Sequence, residues 1–288
     1  MSNEVSNELE NQIISNIDDL KSQPEGESII KLSDRESIHY DGRHYDLIYD
    51  NFYPFSNLAK IDIPFWTDMV SQYGEPVLEL CCGTGRIAFP LAAKGLQVTG
   101  IDISDSMLGE ARKKSDRVEW IKADVRDFDL GKQFSLIIFS LNSIYHLLRI
   151  EDLESCFNCV KKHLKPDGKF IIDMLNYYTK QTIEAMWSPL PTLYSVYPDP
   201  DGRGTMVVTV VNELDVSAQI AKSKLFFRLI EQKKEFVEET KLRLYHPNEM
   251  GNLLKYNGFT VETKLGGYDK AAFTSGSPNY IAICKLGQ

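Results

Sequence analysis

The sequence lacks any long apolar run of the kind that a membrane-spanning helix requires. No stretch approaches the roughly 18 consecutive apolar residues that a bilayer crossing takes. Residues 1–8 are polar and acidic, and they have neither the basic start nor the apolar core of a secretory signal. We therefore expect a cytoplasmic protein without a membrane partner.

Basic residues are also in short supply. Lys and Arg number 32 against 41 Asp and Glu, which leaves a net charge of −9 at pH 7. An acidic surface repels the phosphate backbone of nucleic acids, so we expect no nucleic-acid partner. The 288 residues, of which 43% are hydrophobic, are enough for one large domain or for one domain with an inserted module.

Cysteine is sparse, with only five residues, an odd number, two of them adjacent. Such a set is a poor disulfide framework. Cys156 and Cys159 have the spacing of metal ligands, but no second Cys or His pair stands at a matching spacing. Both lie in a helical apolar stripe, which favours buried packing residues. The sequence predicts no metal site.

The most informative segment that is present contains a short apolar run with the acid Glu79, followed by a glycine loop and a helical segment at 87–94. Gly83 and Gly85 lack a Cβ, so backbone N–H groups of the loop can approach a ligand closely. The next helix points its positive N-terminal end at the same place. A second apolar run ends at Asp102, about 20 residues after Gly83, where a ribose diol lies in a Rossmann-like βαβ unit.

Two further strand patterns end in polar residues. One ends at Asp124, and the next is followed by Ser140. In an open α/β sheet ligands bind beyond the carboxyl ends of the strands, so four successive strand ends are expected to line one ligand. The glycines also fit the G-x-G-x-x-A dinucleotide pattern at 83–88, which leaves a nicotinamide-dependent oxidoreductase as an alternative. The acid Glu79 and the absence of a Tyr-x-x-x-Lys pair weigh against it.

These motifs resemble those of the class I S-adenosylmethionine-dependent methyltransferases. The resemblance rests on residues 79–86, 102–108, 123–128 and 165–170; it is good over 45–176 and looser near the C-terminus. It departs at Cys81, where the family often has glycine. The resemblance implies a Rossmann-like, mostly parallel α/β sheet with helices on both faces and an antiparallel last strand. A non-catalytic binding protein of the same fold is the other alternative, against which the intact glycine and acid set argues.

The resemblance also implies roles for the residues at the strand ends, with S-adenosylmethionine as the cofactor. Gly83 and Gly85 would face its methionyl part, Glu79 would support its amino group, and Arg86 would pair with its carboxylate. Asp102 would accept both ribose hydroxyls, a task that suits a carboxylate. The adenine would be bound by Ile103, Met107, Asp124 and Val125, and the transferred methyl group would lie near Ser140. Cys81 of the glycine loop and Tyr45 of the possible lid complete the predicted cofactor-binding residues.

Changes of pattern divide the chain into three parts. Residues 1–36 read as a polar N-terminal extension, residues 37–176 and 246–288 as the core, and residues 177–245 as an inserted antiparallel β meander after strand five. Within the core, Ser104 is expected to cap one helix and Pro247 to begin another. The aromatic and acidic segment 39–50 is either a helix packing on the sheet or a lid over the cofactor.

The meander carries more apolar side chains than one buried face needs. Strands are expected at 192–197, 205–214, 218–230 and 235–245. The apolar side chains concerned are Val207, Val208, Val210, Val211, Phe226, Phe227 and Leu229. We therefore expect a second partner for the meander, either the acceptor pocket, which it would cover as a lid, or a second copy of the chain in a homodimer.

Two candidate catalytic residues follow the fourth strand, where acceptors bind in the resembled class. His146 could serve as a general base or orient the acceptor, and Tyr145 could act similarly, while packing is the alternative for both. The Asn/Asp-Pro-Pro-Tyr/Phe signature of adenine or glutamine methylation is absent, as is the Pro-Cys pair of cytosine methylation. With the acidic charge, this favours a small-molecule methyl acceptor that offers an amine or a hydroxyl.

Overall fold

A computed structural model describes residues 29–31, 37–51, 58–180, 182–183 and 190–287. The helices in that part are α1 (Gly42–Asp50), α2 (Leu58–Tyr73), α3 (Ala88–Ala93), α4 (Asp105–Lys114), α5 (Ile150–His163) and α6 (Pro247–Tyr256). The strands are β1 (Ile29–Lys31), β2 (Val77–Leu80), β3 (Val98–Asp102), β4 (Glu119–Lys122), β5 (Phe134–Phe139), β6 (Leu164–Leu175), β7 (Thr192–Pro198), β8 (Thr205–Asp215), β9 (Ile220–Leu229), β10 (Lys234–Arg243), β11 (Phe259–Leu265) and β12 (Asn279–Leu286). None of the helices described here has both the length and the apolar composition to cross a bilayer.

Seven of the strands form one sheet in the order β11-β12-β6-β5-β2-β3-β4. Strands β2 to β6 are parallel to their neighbours among themselves, whereas β12 runs antiparallel to both β6 and β11. β2 and β3 are buried along their whole length, as expected for parallel strands covered on both faces. α5 and α6 pack on one face, and α2 and α3 pack on the other. The predicted fold class is confirmed.

The remaining strands form a second sheet in the order β1-β10-β9-β8-β7. Strands β7 to β10 are an antiparallel meander, as the sequence predicted, and their bounds lie within a few residues of those expected. The short strand β1 pairs in parallel with β10, although residues 29–31 lie in the segment assigned to the polar extension. Residues 1–28 and 32–36 of that extension lie outside the described residues.

The meander is amphipathic, and the apolar side chains predicted to need a second partner lie on both of its faces. Val208, Val210, Phe227 and Leu229 are buried on the inner face, where they pack around Ile48 of α1. The segment around α1 thus joins the second sheet to the core. Val207, Val211 and Phe226 alternate with the inner residues along the strands and lie on the opposite face.

One strand begins earlier than its local sequence indicates. β6 begins at Leu164 and runs through Asp167-Gly168, a pair that is typical of a turn, before the apolar run that starts at Phe170. Its pairing with β5 jumps from Phe134↔Leu164 to Leu136↔Lys169, so the intervening residues form an irregularity inside the strand. Gly168 permits this, because a Cβ there would lie 3.0 Å from the carbonyl oxygen of Phe134.

Candidate active site

A cavity of about 780 Å³ lies between the carboxyl ends of the core strands, α1 and the second sheet. Its volume falls within the range of about 300–1,000 Å³ that is typical of small-molecule sites. The core side of the lining consists of Cys81, Gly83, Asp102, Ile103, Ser104, Ser106 and Met107. The opposite side includes Tyr40, Arg43, His44, Tyr45, His146, Met206 and Phe236.

Asp102, the last residue of β3, presents a carboxylate that two backbone donors hold in place. The N–H of Gly83 donates to Oδ2 at 2.9 Å, and the N–H of Ser104 donates to Oδ1 at 2.9 Å. Burial raises the pKa of Asp102, while these backbone bonds oppose the rise. Each carboxylate oxygen has a further lone pair, so the side chain can still accept bonds from ligand hydroxyls.

The two loop glycines serve different purposes. Both have a positive φ, +54° at Gly83 and +83° at Gly85. A Cβ at Gly83 would meet nothing within 4 Å, and this residue lines the cavity. A Cβ at Gly85 would lie 2.4 Å from the Trp120 ring, so this glycine allows the loop to pack on β4. Of the two, the structure brings Gly83 to the cavity wall.

Cys81 adopts a conformation that favours glycine. Its φ is +52°, in the left-handed region that residues with a Cβ rarely occupy. The sequence analysis noted glycine at this position in the resembled family, and the backbone geometry explains that preference. The Cys81 side chain lines the cavity, and burial raises the pKa of its thiol.

Glu79 and Arg86 lie beside the loop and outside the cavity lining. Glu79 Oε2 accepts the Ala88 N–H at 2.9 Å at the start of α3, and burial raises the pKa of this carboxyl to about 8. Arg86 forms an ion pair with the fully buried Asp62 of α2. The sequence analysis missed Asp62, although an acid between Ile61 and Ile63 in a helical apolar segment was a signal for it.

Besides Glu79, Gly85 and Arg86, three more of the predicted cofactor residues do not line the cavity. The Asp124 carboxylate binds the Arg126 guanidinium, with the Nη2 donor at 2.6 Å, and this pairing lowers the pKa of Asp124. Val125 is part of the apolar core, and Ser140 is buried at the end of β5. Ile103 and Met107, by contrast, contribute apolar surface to the cavity wall.

The two candidate catalytic side chains point in different directions from one short 3₁₀ helix, Ser143–His146. Tyr145 is fully buried, and its hydroxyl donates to the carbonyl oxygen of Leu175 at 2.6 Å. His146 lines the cavity, with its ring centroid 5.5 Å from that of Tyr40. Desolvation inside the cleft lowers the pKa of His146, so the imidazole is neutral at pH 7.

A buried acid that the sequence analysis missed orients this helix. Asp173 of β6 accepts the Tyr268 hydroxyl at 2.7 Å and the Leu141 N–H at 3.2 Å. Leu141 and Asn142 both have a positive φ, +47° and +64°, so the chain turns sharply before the helix that carries His146. An acid within the apolar run 170–175 was the available signal for such a role.

The segment 37–51 covers the cavity from the side of the second sheet. Tyr45 of α1 lines the cavity, and its ring packs on that of Tyr49 with centroids 4.5 Å apart. Tyr40 and His44, which the sequence analysis did not single out as binding residues, line it as well. The helix therefore packs on the second sheet and also lines the cavity, and its role as a lid over the cofactor stays a prediction.

No group of three or more His, Cys, Asp or Glu side chains able to hold a metal ion is found in the part of the chain that the structure describes. All five cysteines are free thiols. Cys156 and Cys159 are buried on α5, in agreement with their apolar setting in the sequence.

Comparison with known proteins identifies the domain that carries this cavity. Residues 77–168 match the family model described as "Methyltransferase domain". The chain is also similar in fold to the crystal structure of an S-adenosylmethionine-dependent methyltransferase from Clostridium acetobutylicum ATCC 824. That likeness has a TM-score of 0.67 and 22% sequence identity, and it covers 85% of this chain and 98% of the other.

Curated relatives match part of the chain. A putative methyltransferase, YqeM, of Bacillus subtilis (strain 168) is 35% identical over 102 residues, covering 34% of this chain and 41% of the relative. The dTDP-3-amino-3,6-dideoxy-alpha-D-glucopyranose N,N-dimethyltransferase of Streptomyces fradiae is 28% identical over 129 residues, covering 45% and 51%. The chain thus spans about half the length of the curated relatives that it matches.

Proposed function

We propose, from the premise that this chain carries a methyltransferase domain of the class I fold, that it methylates a small-molecule amine with S-adenosylmethionine as the donor. The observation that carries this proposal is the Asp102 carboxylate, which is fixed by two backbone N–H groups and open to the cavity. The choice of an amine follows the Streptomyces relative, whose name specifies N,N-dimethylation of an amino sugar.

The residues of the core wall fit the nucleoside part of this cofactor. Asp102 would accept the two ribose hydroxyls through its remaining lone pairs, and Gly83 leaves open space where a side chain would otherwise intrude. Ile103 and Met107 supply an apolar surface of the kind that an adenine ring packs against. Asp124 would bind the adenine amino group only by sharing its carboxylate with Arg126.

The methionyl end would lie toward Tyr45 and the loop at Cys81. Arg86 would bind the cofactor carboxylate in competition with Asp62, its present partner. Asp62 has a second oxygen, Oδ1, that is buried and has no hydrogen-bond partner within the described residues. An ammonium donor would satisfy that oxygen, so a zwitterionic amino-acid group suits the pair better than a simple anion does.

When bound, S-adenosylmethionine supplies an electrophilic methyl group. The acceptor nitrogen would attack that methyl carbon in line with the bond to sulfur, and S-adenosylhomocysteine would leave. The protein has to hold the acceptor nitrogen and receive its proton. His146 is the base for that proton, because its imidazole is neutral and faces the cavity. Met206 and Phe236 of the second sheet close the cavity on the acceptor side and exclude water from it.

Calorimetric titration of the full chain with S-adenosylmethionine and, separately, with NADH tests this proposal. We expect S-adenosylmethionine to bind and NADH to give no measurable heat of binding. Incubation with a panel of amines should then release S-adenosylhomocysteine. Binding of NADH alone would favour an oxidoreductase, and cofactor binding without any turnover would favour a non-catalytic binding protein.

A further inference from the structure

Two aromatic rings meet at a right angle on the acceptor side of the cavity. The centroids of Tyr40 and His146 are 5.5 Å apart, and their planes are inclined by 78°. Tyr45 lines the same cavity. Together, Tyr40, Tyr45 and His146 form an aromatic corner, which presents ring surface to a ligand from more than one direction.

Further rings stand behind this corner and limit its movement. Tyr40 packs edge-on against His39, with centroids 4.6 Å apart and planes inclined by 84°. Tyr45 packs against Tyr49 at 4.5 Å. His39 is buried and also lies within 6.5 Å of the Tyr45 ring. A corner backed in this way is preorganised, so little side-chain entropy is lost when a ligand binds.

A buried carboxylate holds the turn that carries Tyr40. Glu238 of β10 accepts the N–H of Ile38 at 3.0 Å and that of His39 at 3.1 Å, and it also accepts the Ser37 hydroxyl. The Ser37 hydroxyl in turn accepts the Tyr40 N–H at 2.9 Å. Glu238 thereby fixes the position of the ring and places a carboxylate beneath the corner.

The cations of the cavity lining do not oppose a positively charged ligand. Arg43 pairs with Asp201 at 2.7 Å, and Arg203 pairs with Asp199 at 2.7 Å. Their charges are balanced by these carboxylates, which lie on the β7–β8 connection. The corner therefore combines exposed ring faces with a local charge that is neutral to negative, which is the setting that organic cations prefer.

We propose that the aromatic corner is a binding site for an alkylated ammonium group on the methyl acceptor. The identification of this ligand as the methyl acceptor rests on the proposed function. Each methyl group added to a nitrogen increases its contact with the rings and weakens its hydration, so a methylated product binds at least as well as the starting amine. Before a second transfer, the methylated nitrogen must give its proton to His146, which releases it to solvent, and S-adenosylmethionine must replace S-adenosylhomocysteine. An acceptor held by the corner can stay bound during these steps.

The test uses a matched pair of probes, choline and 3,3-dimethylbutan-1-ol. The two molecules have the same shape and the same hydroxyl group. Choline has a charged quaternary nitrogen at the position where the alcohol has a neutral quaternary carbon. Each is titrated into the full chain saturated with S-adenosylhomocysteine, and binding is followed by calorimetry or ligand-observed NMR. We expect choline to bind about 3- to 30-fold more tightly, the preference that ring faces give to a partly desolvated cation.

Variants of the corner separate the ring face from the hydroxyl group. Tyr40→Leu should reduce the choline preference to about one, whereas Tyr40→Phe should keep it because the ring remains. Tyr256→Leu is the control, since this tyrosine is 82% exposed on α6 and lies outside the cavity lining. If Tyr40→Leu fails to fold by circular dichroism, Tyr45→Leu and Tyr45→Phe provide the same comparison.

Equal affinity for the two probes would overturn the proposal, and so would a preference that survives both leucine substitutions. Loss of choline binding on saturation with S-adenosylhomocysteine would also overturn it, because the corner would then belong to the cofactor. The readout is binding and not turnover. A chain that distinguishes the probes but transfers no methyl group contradicts the proposed function and leaves the aromatic corner standing.

Discussion

At the scale of single residues, Asp102 and His146 line one cavity and are held by different means. Two backbone donors fix the carboxylate, whereas the imidazole is directed by the sharp turn at Leu141 and Asn142. In the proposed function Asp102 binds the donor and His146 takes the proton of the acceptor, so we expect removal of either side chain to affect a different property of the site.

Asp102→Ala should weaken S-adenosylmethionine binding by about 30- to 1000-fold, since two charge-assisted hydrogen bonds contribute about 2–4 kcal/mol. Isothermal titration measures the change in Kd. Asp105→Ala is the matched control, because this nearby acid of α4 pairs with Lys122 and does not line the cavity. An unchanged Kd in Asp102→Ala would show that this carboxylate does not bind the ribose.

His146→Asn should lower turnover by about 10²- to 10⁴-fold, the usual contribution of a general base, with cofactor affinity nearly unchanged. The base acts in its neutral form, and its pKa lies below the ordinary value of 6.5. The parent rate should therefore be flat above pH 6.5 and fall only at lower pH, and the variant should lose this acidic limb. Turnover within a few-fold of the parent would leave His146 a packing residue.

At the scale of elements, α1 bridges the two sheets with contacts of unequal kind. Toward the core, Asp46 pairs with Lys114 at 2.5 Å and accepts the Thr84 hydroxyl at 2.6 Å, near the surface. Toward the second sheet, Ile48 is fully buried, and its carbonyl accepts the Ser195 hydroxyl at 3.0 Å. The core contacts are polar, whereas the contact with the second sheet buries Ile48, so we expect α1 to separate from α4 and to stay with the sheet when the cavity opens.

Gly42→Ala tests this expectation. A Cβ at Gly42 would lie 2.6 Å from the Ser106 carbonyl oxygen, so α1 must move away from α4. Overpacking of this kind costs about 1–3 kcal/mol, and we expect S-adenosylmethionine affinity to fall by roughly 5- to 100-fold. Gly109→Ala on α4, where a Cβ meets nothing within 4 Å, should leave the affinity for S-adenosylmethionine unchanged. Equal titration curves for the two variants would contradict the role of α1 as a cover.

At the scale of the whole molecule, the second sheet offers one face for association. Its inner face is filled by α1, but Phe226 on the outer face is only partly buried. Lys224 and Arg228 lie over the Phe226 ring at 5.6 Å and 5.9 Å. The lid and the homodimer both stay predictions for the meander, and a homodimer would have to use the outer face, because α1 packs on the inner one.

Light scattering at several concentrations tests the homodimer. We expect Phe226→Glu to shift the mass toward the monomer without a change in thermal midpoint, because it places a charge on the outer face. Phe227→Glu cannot serve as this probe, since Phe227 is fully buried and a charge there should destabilise the fold by at least about 3 kcal/mol. A parent chain that is monomeric at every concentration would exclude the homodimer.

Local chemistry was sufficient to predict most elements and part of the core wall of the cavity. The Ser104 hydroxyl accepts the Met107 N–H at 3.2 Å as the predicted cap of α4, and α6 begins at Pro247 as expected. The alternation of strands and helices predicted the parallel sheet, and four strand patterns predicted the meander. Capping and periodicity act within a few residues, so they can be read from the sequence alone.

Only the tertiary structure decided which side chains share the cavity. Tyr145 and His146 are neighbours in sequence, yet one packs in the core and the other lines the cavity. Asp124 is taken by Arg126, and Tyr40 is held through a turn bonded to Glu238, which lies about 200 residues away. Contacts at such separations depend on how the two sheets meet at α1, and no local pattern of residues encodes that meeting.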